Sequence, residues 1–444
     1  MIDTDVWRKR VADREMMVGV VGLGYVGLPL MVAFADAGFG VIGYDVDPRK
    51  VEHVNAGTVY IEHLGDEVMG KLAGSAEVEA TTEVGRLAEA DAVLICVPTP
   101  LTRHREPDMT YVDSTAAALG KVVRKGQLIV LESTTYPGTT REVMVPRLEA
   151  GGLKAGEDFA VAYSPEREDP GNAKFKATQI PKVVGGLTER CLDAADALYS
   201  AVVPGTVRVS SADTAEATKL LENIFRSVNI ALVNELKTVF ERMGIDVWEV
   251  IDAAATKPFG YMPFYPGPGL GGHCIPIDPF YLTWRAREFE VPTRFIELAG
   301  EINTEMPSRV IGKVVEALSD HGRALKGARV LVVGLAYKAN VDDIRESPSL
   351  RLIELLKRGG ADVSYHDPHV PRLTPTRHYD HDMESVELTA EAIGGFDALL
   401  IATAHAAVDY AAIGEHARLV VDTRYAMARH GVGPGVAKAD VRLA

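Results

Sequence analysis

The chain has 444 residues, long enough for about three domains. Its composition is that of an ordinary globular protein, 47% hydrophobic and 25% charged, and a net charge of −15 disfavours nucleic acid or an anionic membrane as partner. Cys96, Cys191 and Cys274 are too widely spaced for a disulfide framework or a zinc site, and the charged N-terminus is no signal peptide. No apolar run approaches the ~20 residues that cross a bilayer, and the cysteine usage suits a reducing cytosol, so a cytoplasmic protein is expected.

In chain order, residues 16–21 form an apolar run that leads into Gly22-Leu23-Gly24-Tyr25-Val26-Gly27, then a helical pattern to Ala37 with a stop at Gly38. Val41-Ile42-Gly43-Tyr44-Asp45 follows, a strand ending in an acid. Strand, tight turn, helix, strand and acid make the dinucleotide fingerprint. The glycines let the backbone approach a pyrophosphate, and the helix N-terminus offers N–H donors. Asp45 is placed for the adenosine ribose hydroxyls, which favours NAD. Lys50 nearby leaves a 2′-phosphate, and hence NADP, as the alternative.

The alternation continues. Residues 90–97 read as a strand running into Pro98-Thr99-Pro100, and residues 127–132 as another running into Ser133-Thr134-Thr135-Tyr136-Pro137-Gly138. Open parallel sheets bind ligands at such strand ends. Cys96 lies within its β run and reads as core. Residues 159–163 form a further strand before Ser164-Pro165-Glu166, where Glu166 is a candidate carboxylate base, while Glu168 and Asp169 read as solvent-facing charge.

From about Ala212 the period becomes helical to Gly244, which sets Lys219 and Asn223 one turn apart on one face. By themselves these two mark either a solvated surface or a functional pair. A second helix spans 246–255 and a long helical pattern spans 293–320, with a kink or break expected at Pro307. Between them lies Pro266-Gly267-Pro268-Gly269-Leu270-Gly271-Gly272-His273-Cys274-Ile275-Pro276-Ile277-Asp278-Pro279. So many glycines and prolines require a bent loop whose peptides are open to close approach. Its thiol, Cys274, reads either as a structural cysteine or as a nucleophile with backbone donors around it.

The last third repeats the first. Residues 328–337 echo 18–25, 363–368 echo 42–48, 396–403 echo the Cys96 strand, and 419–424 echo the strand before Ser133. The turn Gly334-Leu335-Ala336-Tyr337-Lys338 has lost two fingerprint glycines, so a second dinucleotide is not expected there. Lys338, Arg345 and Arg424 instead set cations at strand ends, which suits a diphosphate. His366 and His369 beside Asp367 read as a solvated loop rather than as metal ligands, and no metal is expected.

Taken together, the motifs from about Val18 to Arg424 resemble the nucleotide-sugar 6-dehydrogenase family, which oxidises UDP-glucose, UDP-N-acetylhexosamines or GDP-mannose. The resemblance rests on Gly22 to Gly27, Val97-Pro98-Thr99-Pro100, Ser133-Thr134, Ser164-Pro165-Glu166, Lys219 with Asn223, Gly271-Gly272-His273-Cys274 with Asp278, and Lys338 with Arg345. It implies an α/β fold: two Rossmann-like doubly wound parallel-sheet domains joined by a central all-helical segment with a long connecting helix. The expected boundaries are 1–206 for the NAD domain, 207–320 for the helical domain with the cysteine loop and a homodimer interface, and 321–444 for the nucleotide-sugar domain.

The resemblance further implies a four-electron oxidation of the sugar C6 alcohol to an acid by two successive NAD+, with Cys274 forming a thiohemiacetal and then a thioester. Lys219 would stabilise the oxyanion and Asn223 orient it, while Asp278 and Glu166, with Thr134, would serve the hydrolytic water. Gly22, Gly24, Tyr25, Val26, Gly27, Asp45, Lys50, Thr99, Thr134 and Arg345 are the expected cofactor contacts. Glu166, Lys219, Asn223, Phe264, Tyr265, Gly271, Lys338 and Arg424 are those expected for the substrate. One departure stands out: UDP-glucose enzymes commonly have a second Glu where this chain has Pro170. That position and the Phe264 and Phe295 segments favour UDP-GlcNAc or UDP-GalNAc, with UDP- or dTDP-glucose as the alternative. A two-electron hydroxyacid-type dehydrogenase would not need the thiol, and a pure nucleotide-sugar binder would not need the nucleophile.

Overall fold

The computed structural model describes the chain apart from residues 1, 62–63, 103, 168–178, 273–274 and 377. Two compact units emerge, Met1–Glu222 with Phe280–Pro292, and Asn223–Pro279 with Thr293–Ala444.

The first unit is built on eight strands: β1 (Met17–Val21), β2 (Gly40–Tyr44), β3 (Val78–Thr81), β4 (Ala92–Ile95), β5 (Leu128–Leu131), β6 (Ala160–Tyr163), β7 (Lys182–Gly186) and β8 (Thr206–Val209). They lie in the order β3-β2-β1-β4-β5-β6-β7-β8. Every neighbouring pair is parallel except β6 and β7, which are antiparallel. Strands β4, β5 and β6 are buried along their whole length, as expected of apolar runs covered by helices on both faces. The chain steps outward from β1 to β2 and β3, then returns to β4 on the other side of β1. That reversal opens a crevice at the C-terminal ends of β1 and β4.

The second unit carries β9 (Arg329–Val333), β10 (Asp362–His366), the short antiparallel pair β11 (Arg372–Leu373) and β12 (Met383–Glu384), then β13 (Ala398–Ile401), β14 (Leu419–Asp422) and β15 (Asp440–Leu443). Its five-stranded sheet has the order β10-β9-β13-β14-β15, parallel throughout. The architecture is thus the α/β one the sequence implies, with two Rossmann-like sheets and helices between them in the chain. The longest helix is Ala212–Met243, followed by Val247–Ala255, whose N-terminus is capped by Asp246, and later by Arg294–Asp320.

Two expectations need correction. The helix Arg294–Asp320 runs through Pro307 without a break. Its ring lies where the Gly-rich loop passes, since a Cβ on Gly269 would stand 3.4 Å from Pro307 Cγ. Nor is the Asp367 segment a solvated loop. The Asp367 carboxylate is fully buried, accepting from the backbone N–H of Leu335 (2.6 Å) and Ala336 (3.0 Å) and meeting His405 Nε2 at 2.9 Å. The acid that would hold a ribose in a dinucleotide domain here braces its own turn. Among the described residues no group of three or more His, Cys, Asp or Glu could hold a metal, and no helix is long and apolar enough to cross a membrane.

Candidate active site

At the end of β1, Gly22 adopts φ +92°, a conformation that favours glycine, and a Cβ on Gly27 would stand 1.9 Å from Gly22 O. Both are needed to bring the helix Gly27–Asp36 tightly against the turn. Gly24 differs, because a Cβ there would meet nothing within 4 Å. It leaves the backbone of the turn uncovered at that point. Asp45 directly follows β2 and is nearly buried, with Oδ2 accepting from Leu23 N (2.8 Å) and Lys50 Nζ (2.9 Å) and Oδ1 accepting from Asp47 N (2.9 Å). The acid is therefore oriented beside the glycine turn, with Lys50 attached to it. Tyr25 and Val26 are half-buried at the turn, Thr99 is buried just past β4, and Thr134 is half-buried just past β5. The bare Gly24, the oriented acid and the strand-end hydroxyls fit NAD, which supplies a hydride acceptor when bound.

Still in the first unit, Glu166 follows β6 and faces Lys219 of the long helix. Lys219 Nζ donates to the Glu166 carbonyl at 2.5 Å and lies 3.7 Å from its carboxylate Oε2. The two side chains are only 7% and 16% exposed, while Glu166 Oε1 is buried with no hydrogen-bond partner among the described residues. Burial pushes the Glu166 carboxyl above its ordinary pKa, and the Lys219 and Lys182 charges oppose that shift. Glu166 lines a cavity of about 50 Å³ with Glu132, Arg167, Lys182, Val26 and Leu30 among its walls. A buried ammonium beside a carboxylate with a free oxygen can stabilise a developing oxyanion and hold a water.

One turn along the same helix, in the second unit, Asn223 Nδ2 donates to Asp278 Oδ2 at 2.6 Å. The Gly-rich loop of this unit is pinned by the buried Asn234, whose Oδ1 accepts from Gly267 N at 3.0 Å. Its Gly272 has φ +82° and lies on the Tyr337 ring, which a Cβ would approach to 3.0 Å, and Gly271 lies against Tyr337 and Pro348. Lys338, next to Tyr337, is half-buried. Arg424 packs on Gly267 and donates through Nε to Ala402 O at 2.8 Å. Burial lowers its pKa to about 10, which leaves it cationic at neutral pH. Phe264 packs edge-on against Phe225, whereas the Tyr265 hydroxyl donates to Asp252 at 2.5 Å. Arg345 is held by Asp343 through Nε and Nη2. Cys274 lies outside the described residues, as do His273, Glu168, Asp169 and Pro170.

Sequence reasoning missed several buried polar groups. Glu132, at the end of a parallel strand and next to Ser133-Thr134, carried a positional signal. Lys182, Tyr199, Glu216, Asn234 and Asn303 carried none, since each reads as an ordinary helix or strand residue.

Three family models match the chain: the NAD binding domain of the UDP-glucose/GDP-mannose dehydrogenase family over residues 16–203, its central domain over 213–305 and its UDP binding domain over 331–429. The UDP-N-acetyl-D-glucosamine 6-dehydrogenase of Pseudomonas aeruginosa is 36% identical over 394 residues, 88% of this chain and 91% of its own. The UDP-N-acetyl-D-mannosamine dehydrogenase of Pyrococcus horikoshii is 35% identical over 435 residues, 96% of this chain and all of its own. A solved structure described as UDP-D-ManNAc dehydrogenase from Pyrococcus horikoshii superposes with a TM-score of 0.86 at 33% identity, covering 96% of this chain and 99% of that one. On these matches the chain belongs to the UDP-glucose/GDP-mannose dehydrogenase family and is an NAD-dependent nucleotide-sugar dehydrogenase.

Proposed function

We propose that this enzyme oxidises C6 of a UDP-N-acetylhexosamine from alcohol to carboxylate through a thioester on Cys274. The observation that carries the reading is the pair of buried contacts on successive turns of one helix, Lys219 with Glu166 and Asn223 with Asp278. The relatives that act on N-acetylated sugars support the substrate class.

Gly22, Gly24 and Asp45 would hold NAD+, which would supply the hydride acceptor for each of two oxidations at C6. At the first, the hydroxyl proton leaves and the product is an aldehyde. The Cys274 thiolate then forms a C–S bond to C6, and the carbonyl oxygen gains a proton as the thiohemiacetal. At the second, loss of that proton leaves the thioester. Lys219 stabilises the oxyanion at each stage and Asn223 orients the oxygen. Glu166, with Thr134, positions a water, whose proton passes to Asp278 as its oxygen adds to C6. The C–S bond breaks and the thiolate returns. One sugar and one water yield one acid, two reduced cofactors and three protons.

In this reading Lys338 and Arg424 serve the nucleotide sugar and its diphosphate, with Phe264, Tyr265 and Gly271 lining its loop. Gly22, Gly24, Tyr25, Val26, Gly27, Asp45, Lys50, Thr99 and Arg345 serve NAD. The three stretches 1–206, 207–320 and 321–444 act as NAD, helical and sugar-nucleotide domains in a cytoplasmic homodimer. The helix Ala212–Met243 supports the dimer: its exposed Leu221, Phe225, Leu232, Val239 and Met243 recur at helical spacing as one apolar stripe. A monomer by light scattering at micromolar concentration would contradict it.

The test is NADH formed per sugar consumed with UDP-GlcNAc, UDP-GalNAc, UDP-ManNAc, UDP-glucose, dTDP-glucose and GDP-mannose. Two NADH per sugar with an N-acetylhexosamine preferred supports the reading. One NADH with aldehyde accumulating, or preference for a glucose nucleotide, overturns the thioester or the substrate assignment respectively.

A further inference from the structure

Beside Glu166 lies a group of buried ionisable side chains that the reaction above does not use. Glu132 follows the last residue of β5, Lys182 opens β7, and Tyr199 ends the helix Glu189–Tyr199. Lys182 Nζ meets Glu132 Oε2 at 2.5 Å, and the Tyr199 hydroxyl donates to Glu132 Oε1. The Lys182 and Glu132 side chains are 11% and 0% exposed. Lys182 Nζ also donates to the Pro165 carbonyl at 3.2 Å and stands 5.0 Å from the centre of the Tyr199 ring.

A buried ion pair of this kind adds little stability, because desolvation offsets the attraction and an apolar pair of similar volume would fold as well. An apolar pair would not hold the Pro165 carbonyl. That carbonyl directly precedes Glu166, whose own carbonyl is held by Lys219. Two lysines thus fix two successive carbonyls, and the residue between them carries the unpartnered Oε1. Glu132, Lys182 and Glu166 line the same cavity.

We propose that Lys182, held in place by Glu132 and Tyr199, is a positioning residue that fixes the Pro165-Glu166 peptide and so aims the free carboxylate oxygen of Glu166 at the hydrolytic water. The proposal rests on the reading of Glu166 given above. In this proposal Lys182 acts through Glu166, so its loss slows release of the acyl group from the enzyme without slowing its formation.

The experiment compares Lys182→Met, Lys182→Arg, Glu166→Gln and the Glu166→Gln/Lys182→Met double variant. Each is given NAD+ and UDP-N-acetylglucosamine, or whichever sugar of the panel turns over fastest. Acid-quenched whole protein is weighed by mass spectrometry alongside steady-state NADH. Lys182→Met is expected to lose at least about tenfold in kcat with KM little changed, and to accumulate a covalent sugar-nucleotide adduct that the wild type does not. Lys182→Arg restores most of the rate, and the double variant is no slower than Glu166→Gln alone. Should Lys182→Met not fold, because Glu132 is left unpaired, Glu132→Gln/Lys182→Met removes both charges together and is read by the same adduct. If Glu166→Gln accumulates adduct but the Lys182 variants do not, or if the losses add, the proposal is wrong and the role of Glu166 stands. If Glu166→Gln turns over like the wild type, the role of Glu166 fails and the proposal fails with it.

Discussion

Asn223 and Asp278 are 55 residues apart in sequence and 2.6 Å apart in space, both nearly devoid of solvent contact. The amide donor leaves the Asp278 carboxylate with a fixed direction, as a group that takes a proton from an attacking water requires. Asp278→Asn keeps the shape and removes the basicity. A loss of 10²–10³ in kcat is expected, on the order of a general-base contribution, with KM little changed. Wild-type kcat in this variant would remove Asp278 from the chemistry.

The glycine turn separates fold from ligand binding. A Cβ on Gly27 has nowhere to go, whereas one on Gly24 is free of the protein. Gly27→Ala is expected to lower the melting midpoint by several degrees. Gly24→Ala should melt like the wild type yet raise KM for NAD+ about tenfold or more, because the pyrophosphate needs that space. Equal melting shifts in the two variants would count against the assignment.

Asn234 ties the Gly-rich loop to the helices. Its Oδ1 accepts from Gly267 N, its Nδ2 donates to Asn303 Oδ1 at 3.0 Å, and Asn303 Nδ2 donates to Ser227 O at 3.1 Å. Asn234→Leu strands the Gly267 N–H and the Asn303 carbonyl oxygen in a buried place. Roughly 2–4 kcal/mol of stability should be lost in urea unfolding. Asn303→Leu in the same background should then cost much less than it does alone, since the two residues share one network.

Glu216 sets a pH dependence on stability. Its carboxylate accepts from Gly138 N (2.6 Å), Thr140 N (2.8 Å) and Thr140 Oγ1 (2.7 Å), yet burial outweighs these contacts and raises its pKa to about 7. With the folded pKa above the unfolded value of 4.5, the folded state binds more protons between the two. The contribution is complete below pH ~4.5 and is lost as pH rises through about 7, by roughly 3 kcal/mol in total. Unfolding free energies of the wild type and Glu216→Gln, measured from pH 4.5 to 8, should diverge with that sign. Parallel curves would mean that Glu216 does not titrate there.

Much of the architecture was legible in the chain. The apolar runs at 16–21, 41–45, 90–97, 127–132 and 159–163 each mark a strand, and the echo of the first third in the last became a second parallel sheet. Of the kink or break expected at Pro307 the break is absent, because a proline that packs beside a loop need not interrupt a helix. The His366 segment misled for a similar reason: polar residues at a strand end look solvated until a neighbouring turn supplies buried N–H groups to be satisfied.

By itself the sequence determined what depends on neighbours in the chain: the strand and helix periods, the glycines that a tight turn demands, and the cations and acids at strand ends. These follow from backbone sterics and side-chain alternation over a few residues. Only the tertiary structure decided which charges share a desolvated space. Lys219 meets the Glu166 carbonyl across 53 positions, Lys182 meets Glu132 across 50, and Tyr199 meets Glu132 across 67. Such partners have no local signature, because burial, not spacing, sets how strongly they act on one another.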